Sequence, residues 1–208
     1  MALPLALGCG LTMASMTASL RASLITITNP TFAAIQYANT NYNFYNGWIT
    51  GWSGNDTATE SSGAAAYFAN GGSPVITQAP SVNTIAIQPG TYSIGFDAVA
   101  TFGGSDSLTA GFVDSNGDNL SADNGAITFT NSSFVTYGNV ATLAVPAGSP
   151  LISPGNDLGF FISNPSDSNW PGITNVTLNF TSVPEPAMSG FVGLGAMGTL
   201  LLRRRRPQ

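Results

Sequence analysis

The chain of 208 residues has no lysine, no histidine and a single cysteine, and only 7% of its residues are charged. Each absence excludes chemistry. Without histidine there is no Ser-His-Asp or Cys-His nucleophile and no histidine-ligated metal; without lysine there is neither a Schiff base nor a P-loop lysine. Cys9 has no partner for a disulfide within the chain. Average soluble domains carry about 25% charged residues, so solubility rests here on Asn, Ser, Thr and Gly. Basic charge is confined to the ends: Arg21, then Arg203, Arg204, Arg205 and Arg206. From Ser23 to Ser182 there are nine acidic residues and no basic one. Phosphate binding needs Lys or Arg to displace counterions, so nucleic acid is excluded as a partner of this body. Disorder is excluded as well. Gly and Pro together number 37, under the roughly 25–30% of low-complexity chains, and 21 aromatic residues suffice for the core of one domain.

Both ends are apolar. Residues 1–22 run Leu3, Leu5, Leu7, Leu11, Met13 and Met16 among small residues and finish at Arg21-Ala22. They read as a secretory signal peptide, although no basic residue follows Met1. A misassigned start codon, an ordinary N-terminal helix, or a lipoprotein signal ending at Ala6-Leu7-Gly8-Cys9 are the alternatives. At the other end, Val183-Pro184-Glu185-Pro186 is followed by sixteen uncharged residues, Ala187 to Leu202, and then by four arginines. The prolines hold an extended segment open to a processing enzyme. The apolar run spans about 24 Å as a helix, a little short of the ~30 Å hydrocarbon layer. The arginines snorkel to close the gap and fix their end in the cytoplasm. A buried helix with a solvated tail fits less well, because Gly190, Gly193, Gly195 and Gly198 each cost nearly 1 kcal/mol in a water-exposed helix.

This order of elements over residues 183–208 resembles the PEP-CTERM protein-sorting signal of exported bacterial proteins. The resemblance implies a sorting motif at Pro184, Glu185 and Pro186, a transmembrane helix over 187–202 and a membrane-orienting basic tail over 203–206. It also implies an exosortase-type membrane protease as partner. The expected location is first the membrane, through the C-terminal helix, and then the cell surface or extracellular matrix.

Between the ends, residues 23–182 read as nine or ten short strands. Leu24-Ile25-Thr26-Ile27-Thr28 opens the series. Period-two alternation follows in Tyr92, Ile94, Phe96 and Ala98, in Leu108, Ala110 and Phe112, in Leu158, Phe160 and Ile162, and in Val176, Leu178 and Phe180. Turn residues recur at Gln88-Pro89-Gly90, Gly103-Gly104, Asn116-Gly117, Pro146-Ala147-Gly148 and Pro154-Gly155-Asn156. The pattern predicts an all-β antiparallel sandwich or barrel, with no internal repeat to suggest a solenoid or propeller. The phrases from Ile27 to Phe32, Ile87 to Asp97 and Gly172 to Leu178 resemble the galactose-binding-like jelly roll of carbohydrate-binding modules. That family's usual Asp before the final Asn-Val is Thr174 here.

Six aromatics fall in sixteen residues: Tyr37, Tyr42, Phe44, Tyr45, Trp48 and Trp52. They are interleaved with asparagines, and rings beside amides suit a sugar, whose CH face stacks while its hydroxyls pair. Core packing explains the same rings. Trp48, Trp52 and Trp170 are the candidate glycan contacts. Asp114, Asn116 and Asp118 set oxygen ligands at alternate positions, as a calcium site would; a hairpin turn through Asn116-Gly117 explains the same letters, and no other cofactor is implied. Asp56, Glu60, Asp97, Asp106, Asp123, Asp157 and Asp167 offer carboxylates for glycoside hydrolysis, but no spacing selects a pair, so no enzyme is expected. The expectation is an exported structural or adhesive protein with weak contacts to extracellular polysaccharide. A dedicated carbohydrate-binding module is the alternative, and a polysaccharide hydrolase ranks behind it.

Overall fold

Alternating apolar and Ser/Thr-rich positions build two antiparallel sheets, seen in a computed structural model that describes residues 22–34, 49–55, 57–59, 65–68, 73–101, 104–120, 124–165 and 169–183. The strands are β1 (Ala22–Ile25), β2 (Ser53–Asn55), β3 (Thr57–Thr59), β4 (Ala66–Phe68), β5 (Val75–Gln78), β6 (Ile85–Ala86), β7 (Gly90–Val99), β8 (Asp106–Val113), β9 (Gly125–Phe129), β10 (Val135–Val145), β11 (Asp157–Ser163) and β12 (Gly172–Ser182). A single helical turn, α1 (Pro80–Asn83), follows β5. The first sheet runs β10-β7-β12-β4-β3, with β1 also on β12. The second runs β2-β5-β11-β8-β9, with β6 also on β11.

The two inner faces make the core. From the first sheet, Tyr92, Ile94, Phe96 and Ala98 are at most 1% exposed, joined by Ile173, Val176 and Leu178. The second contributes Leu108, Ala110, Phe112, Leu158, Phe160 and Ile162. Apart from Ile173, these are the residues whose period of two predicted half-buried strands, and each large side chain so buried contributes about 1.5–3 kcal/mol. The result is the antiparallel β-sandwich expected from the sequence.

The first strand differs from its expected span. It covers Ala22–Ile25 instead of Leu24 to Thr28, and Leu24 is 67% exposed. The reason is a competing set of bonds: the Thr28 amide and hydroxyl both donate to Asn83 Oδ1, at 3.0 and 2.9 Å, which takes Thr28 out of any ladder. Two bulges also interrupt the first sheet, in β10 between Tyr137 and Ala141 and in β12 between Thr174 and Thr177. Both lie beside the same stretch of β7, and each contains an asparagine at positive φ, Asn139 (53°) and Asn175 (49°). Among the described residues no helix is long and apolar enough to cross a membrane. The expected transmembrane segment 187–202 lies outside the described residues, as does the expected signal peptide except for Ala22, which is already in β1.

Candidate functional site

In β11 the neighbours Phe160 and Phe161 must point to opposite faces. Phe160 is fully buried, which leaves Phe161 half-buried on the outer face of the second sheet. Directly across from it stand Thr77 of β5 and Gly111 of β8. A β-carbon at Gly111 would lie 2.6 Å from the Phe161 ring, so only glycine lets that ring lie over the neighbouring strand. Gly159, two residues earlier, does the same for α1: a β-carbon there would meet Pro80 Cδ at 2.6 Å and the Gln78 carbonyl at 2.7 Å. The outer face thus bears a ring, and α1 rises close beside it.

The opposite wall is the turn after β8. Asp114 Oδ1 accepts from the Asn116 amide at 2.8 Å and the Asp118 amide at 2.9 Å, while Oδ2 accepts from Asn116 Nδ2 at 3.3 Å. Across the turn the Asp114 amide donates to the Asp118 carbonyl at 3.0 Å and the Gly117 amide to the Asp114 carbonyl at 2.9 Å, with Gly117 at φ 83°. Ser115 ties this turn to the next one: its hydroxyl donates to the Gly155 carbonyl at 3.0 Å and accepts from the Asp157 amide at 2.7 Å. Between the walls lies a cleft of about 590 Å³. Val75, Thr77, Val113 and Phe161 form its floor, Pro80 and Ser81 one side, and Asp114, Asn116 and Asp157 the other.

The residues singled out in the sequence fall in different places. Asp114 and Asn116 line the cleft and Asp118 closes the same turn, so the geometry there is that of the hairpin turn. Among the described residues no three His, Cys, Asp or Glu side chains converge as a metal cluster would. Trp52 is in the core, 5% exposed, with its indole N–H donating to the Asn29 carbonyl at 3.1 Å. Its ring lies 5.0 Å from Phe32 and packs edge-on to Phe160 at 5.5 Å. It therefore has no open face for a sugar, because it is packed against Phe32 and Phe160 in the core; Tyr37, Tyr42, Phe44 and Tyr45 lie outside the described residues. Trp170 is half-buried in the connection into β12, its carbonyl accepting from the Thr101 hydroxyl at 2.6 Å. Trp48, Pro184, Glu185, Pro186 and Arg203 to Arg206 lie outside the described residues, as do Asp56, Glu60, Asp123 and Asp167.

Of the remaining carboxylates, Asp97 accepts from Asn175 Nδ2 at 2.7 Å on the outer face of the first sheet. Asp106 is 1% exposed at the start of β8, and among the described residues neither carboxylate oxygen has a partner within hydrogen-bond geometry. Burial raises its pKa above the ordinary carboxyl value, and the neighbouring Asn169 side chain partly offsets this. Burial likewise pushes the Tyr92 phenol up, against a bond from the Gln88 amide at 2.8 Å that lowers it. Phe161 escaped the sequence reading, yet its signal was present: two adjacent rings in a strand whose inward set is Leu158, Phe160 and Ile162.

Comparison with known proteins bears on the tail and on the fold. Residues 182–206 match the PEP-CTERM protein-sorting motif. No curated protein matches the chain in sequence. Among solved structures, a cyclase from Fischerella sp. TAU superposes with a TM-score of 0.54 at 17% identity, covering 79% of this chain and all of the cyclase. A CBM4 domain gives 0.47 at 14% identity over 74% of this chain and 99% of its own. The CBM22-1 xylan-binding domain of a Paenibacillus barcinonensis protein gives 0.47 at 11% identity, over 80% of this chain and all of that domain. At these identities the likeness is one of fold, and the fold is a β-sandwich.

Proposed function

We propose that the protein is an exported, non-enzymatic component of the cell surface or extracellular matrix, handed to an exosortase by its C-terminal motif and meeting polysaccharide through the cleft around Phe161. The observation that carries this reading is the PEP-CTERM motif at 182–206, which begins at the last residue of β12. In this reading residues 187–202 form the transmembrane helix that holds the precursor, Arg203 to Arg206 keep their end cytoplasmic, and the sandwich is a jelly roll outside the cell.

The cleft chemistry supports binding over turnover. Glycoside hydrolysis needs an acid and a base free to exchange protons on either side of the scissile bond. Of the two carboxylates that line the cleft among the described residues, Asp114 is committed to three hydrogen bonds within its own turn, which leaves Asp157 without a second free group among those residues. An outward ring flanked by hydroxyls and an amide is instead the composition of a sugar-stacking surface.

Fractionation of cells with and without the exosortase tests the sorting claim. The expected result is a larger precursor held in the membrane when the enzyme is missing and a shorter form at the surface or in the matrix when it is present. The same size and location in both strains would reject the proposal.

A further inference from the structure

We infer that the Phe161 cleft takes an uncharged polyhydroxylated chain, a neutral polysaccharide segment, and turns away polyuronates. This deepens the surface reading above and rests on it only for the premise that the protein meets polysaccharide. Three observations lead to it.

The first is shape. A volume of about 590 Å³ falls within the roughly 300–1,000 Å³ of small-ligand sites, and it is a groove between two walls over a sheet. Such a groove admits a short run of a longer chain. The second is surface chemistry. Phe161 offers an apolar ring with no polar atom, matched to the CH face of a sugar, while Thr77, Ser81 and Asn116 place hydroxyl and amide groups around it. Gly111 holds that geometry, since any side chain there would push the ring off the sheet.

The third is charge, which decides between sugar classes. Among the described residues, the ionisable groups of the cleft are Asp114 and Asp157, both acidic. No lysine, arginine or histidine occurs anywhere from residue 22 to residue 202. A uronate would meet two carboxylates and no counter-charge, and a low-dielectric groove strengthens that repulsion relative to open water. Calcium could bridge a uronate to a protein carboxylate. Here Asp114 already accepts two backbone amides and a side-chain amide, and ligating a cation would dismantle the turn that forms the wall.

The full chain, purified in mild detergent, can be run by affinity electrophoresis through gels containing a neutral glucan, a neutral galactomannan, alginate or polygalacturonate, each with calcium and with chelator. Retardation by at least one neutral polymer, insensitive to salt, is expected, and none by the polyuronates in either condition. Phe161→Ala should weaken the neutral interaction at least tenfold, whereas Phe161→Tyr, which keeps the ring, should retain it. Ser81→Arg, on the exposed wall, should add polyuronate binding. Three results would overturn the inference: polyuronate retardation of the unmodified chain equal to the neutral one, with or without calcium; neutral binding that survives Phe161→Ala; or no retardation by any polymer. In each case fractionation still reports on sorting independently, so loss of this inference and loss of the surface reading are separate outcomes.

Discussion

Asp106 buries an ionisable carboxyl at 1% exposure, with no hydrogen bond of its own among the described residues and only the nearby Asn169 side chain to favour its charge. Because burial raises its folded pKa, the neutral form is favoured in the folded state. The stability it contributes is therefore complete below the ordinary carboxyl pKa and is lost as pH rises through the raised folded value. Leaving a buried polar group unsatisfied costs about 1–3 kcal/mol. Asp106→Asn removes the charge at nearly constant shape, so thermal melts should show it more stable than the parent at pH 7. A gain of about 2–4 °C per kcal/mol is expected for a domain of this size. The advantage should shrink as pH falls toward the carboxyl range, and a lower Tm at pH 7 would mean that the carboxylate is paired after all. Residue by residue, the sequence was legible where periodicity alone set the face, as at Phe96 or Ile162. It was not legible at Trp52, because a ring among asparagines reads the same whether it stacks on a sugar or on Phe32 and Phe160. Nor could it show that Asp106 faces the core, since Asp at a strand start is ordinarily a turn residue.

At the scale of elements, alternation located the long strands but not their interruptions. In β12 both Ile173 and Val176 are buried, an odd spacing that a regular strand cannot produce, and the bulge between Thr174 and Thr177 resolves it. Asn175 takes up the extra residue at φ 49° and bonds Asp97 across the sheet. Asn175→Ala loses both the left-handed preference and the bond and should cost about 1–2 kcal/mol in urea unfolding. Asn175→Gly should recover part of that by tolerating the dihedral. The helical turn α1 shows the same limit of legibility. It is held by a relay around the buried Gln78, in which Gln78 Nε2 donates to the carbonyl of half-buried Thr28 at 2.7 Å, half-buried Asn83 Nδ2 donates to Gln78 Oε1, and Thr28 donates to Asn83. The three residues are 50 and 5 apart in sequence, and nothing local announces the meeting. Gln78→Leu should destabilise by about 1–3 kcal/mol through unsatisfied buried groups. Adding Asn83→Ala should cost less than the sum of the two, because both remove one network.

For the whole molecule, the sandwich and the sorting motif meet without a spacer. The motif starts at residue 182, while β12 stays paired through Ser182: Thr181 lies opposite Thr91 of β7 and Ala22 of β1, and Ser182 lies opposite Gly90. At this end β12 is flanked on both sides, so its amides and carbonyls are occupied and no extended backbone is free for a protease. Phe180 adds a ring contact with Tyr92 at 4.7 Å. Proteolysis must therefore fall at or beyond the Ser182–Val183 bond for the product to keep its fold, and the intact mass of a processed form should place its C-terminus at Ser182 or later. Truncation supplies the energetic counterpart. A chain ending at Ser182 should melt like the parent. One ending at Leu178 loses the partly buried Phe180 ring and most of the β1 pairing, and should be destabilised by about 2 kcal/mol or more, since a partly buried ring gives less than the roughly 3–5 kcal/mol of a buried one. If the natural product instead ended upstream of Phe180 and remained folded, β12 could not be the central strand that joins β1, β4 and β7 in the first sheet.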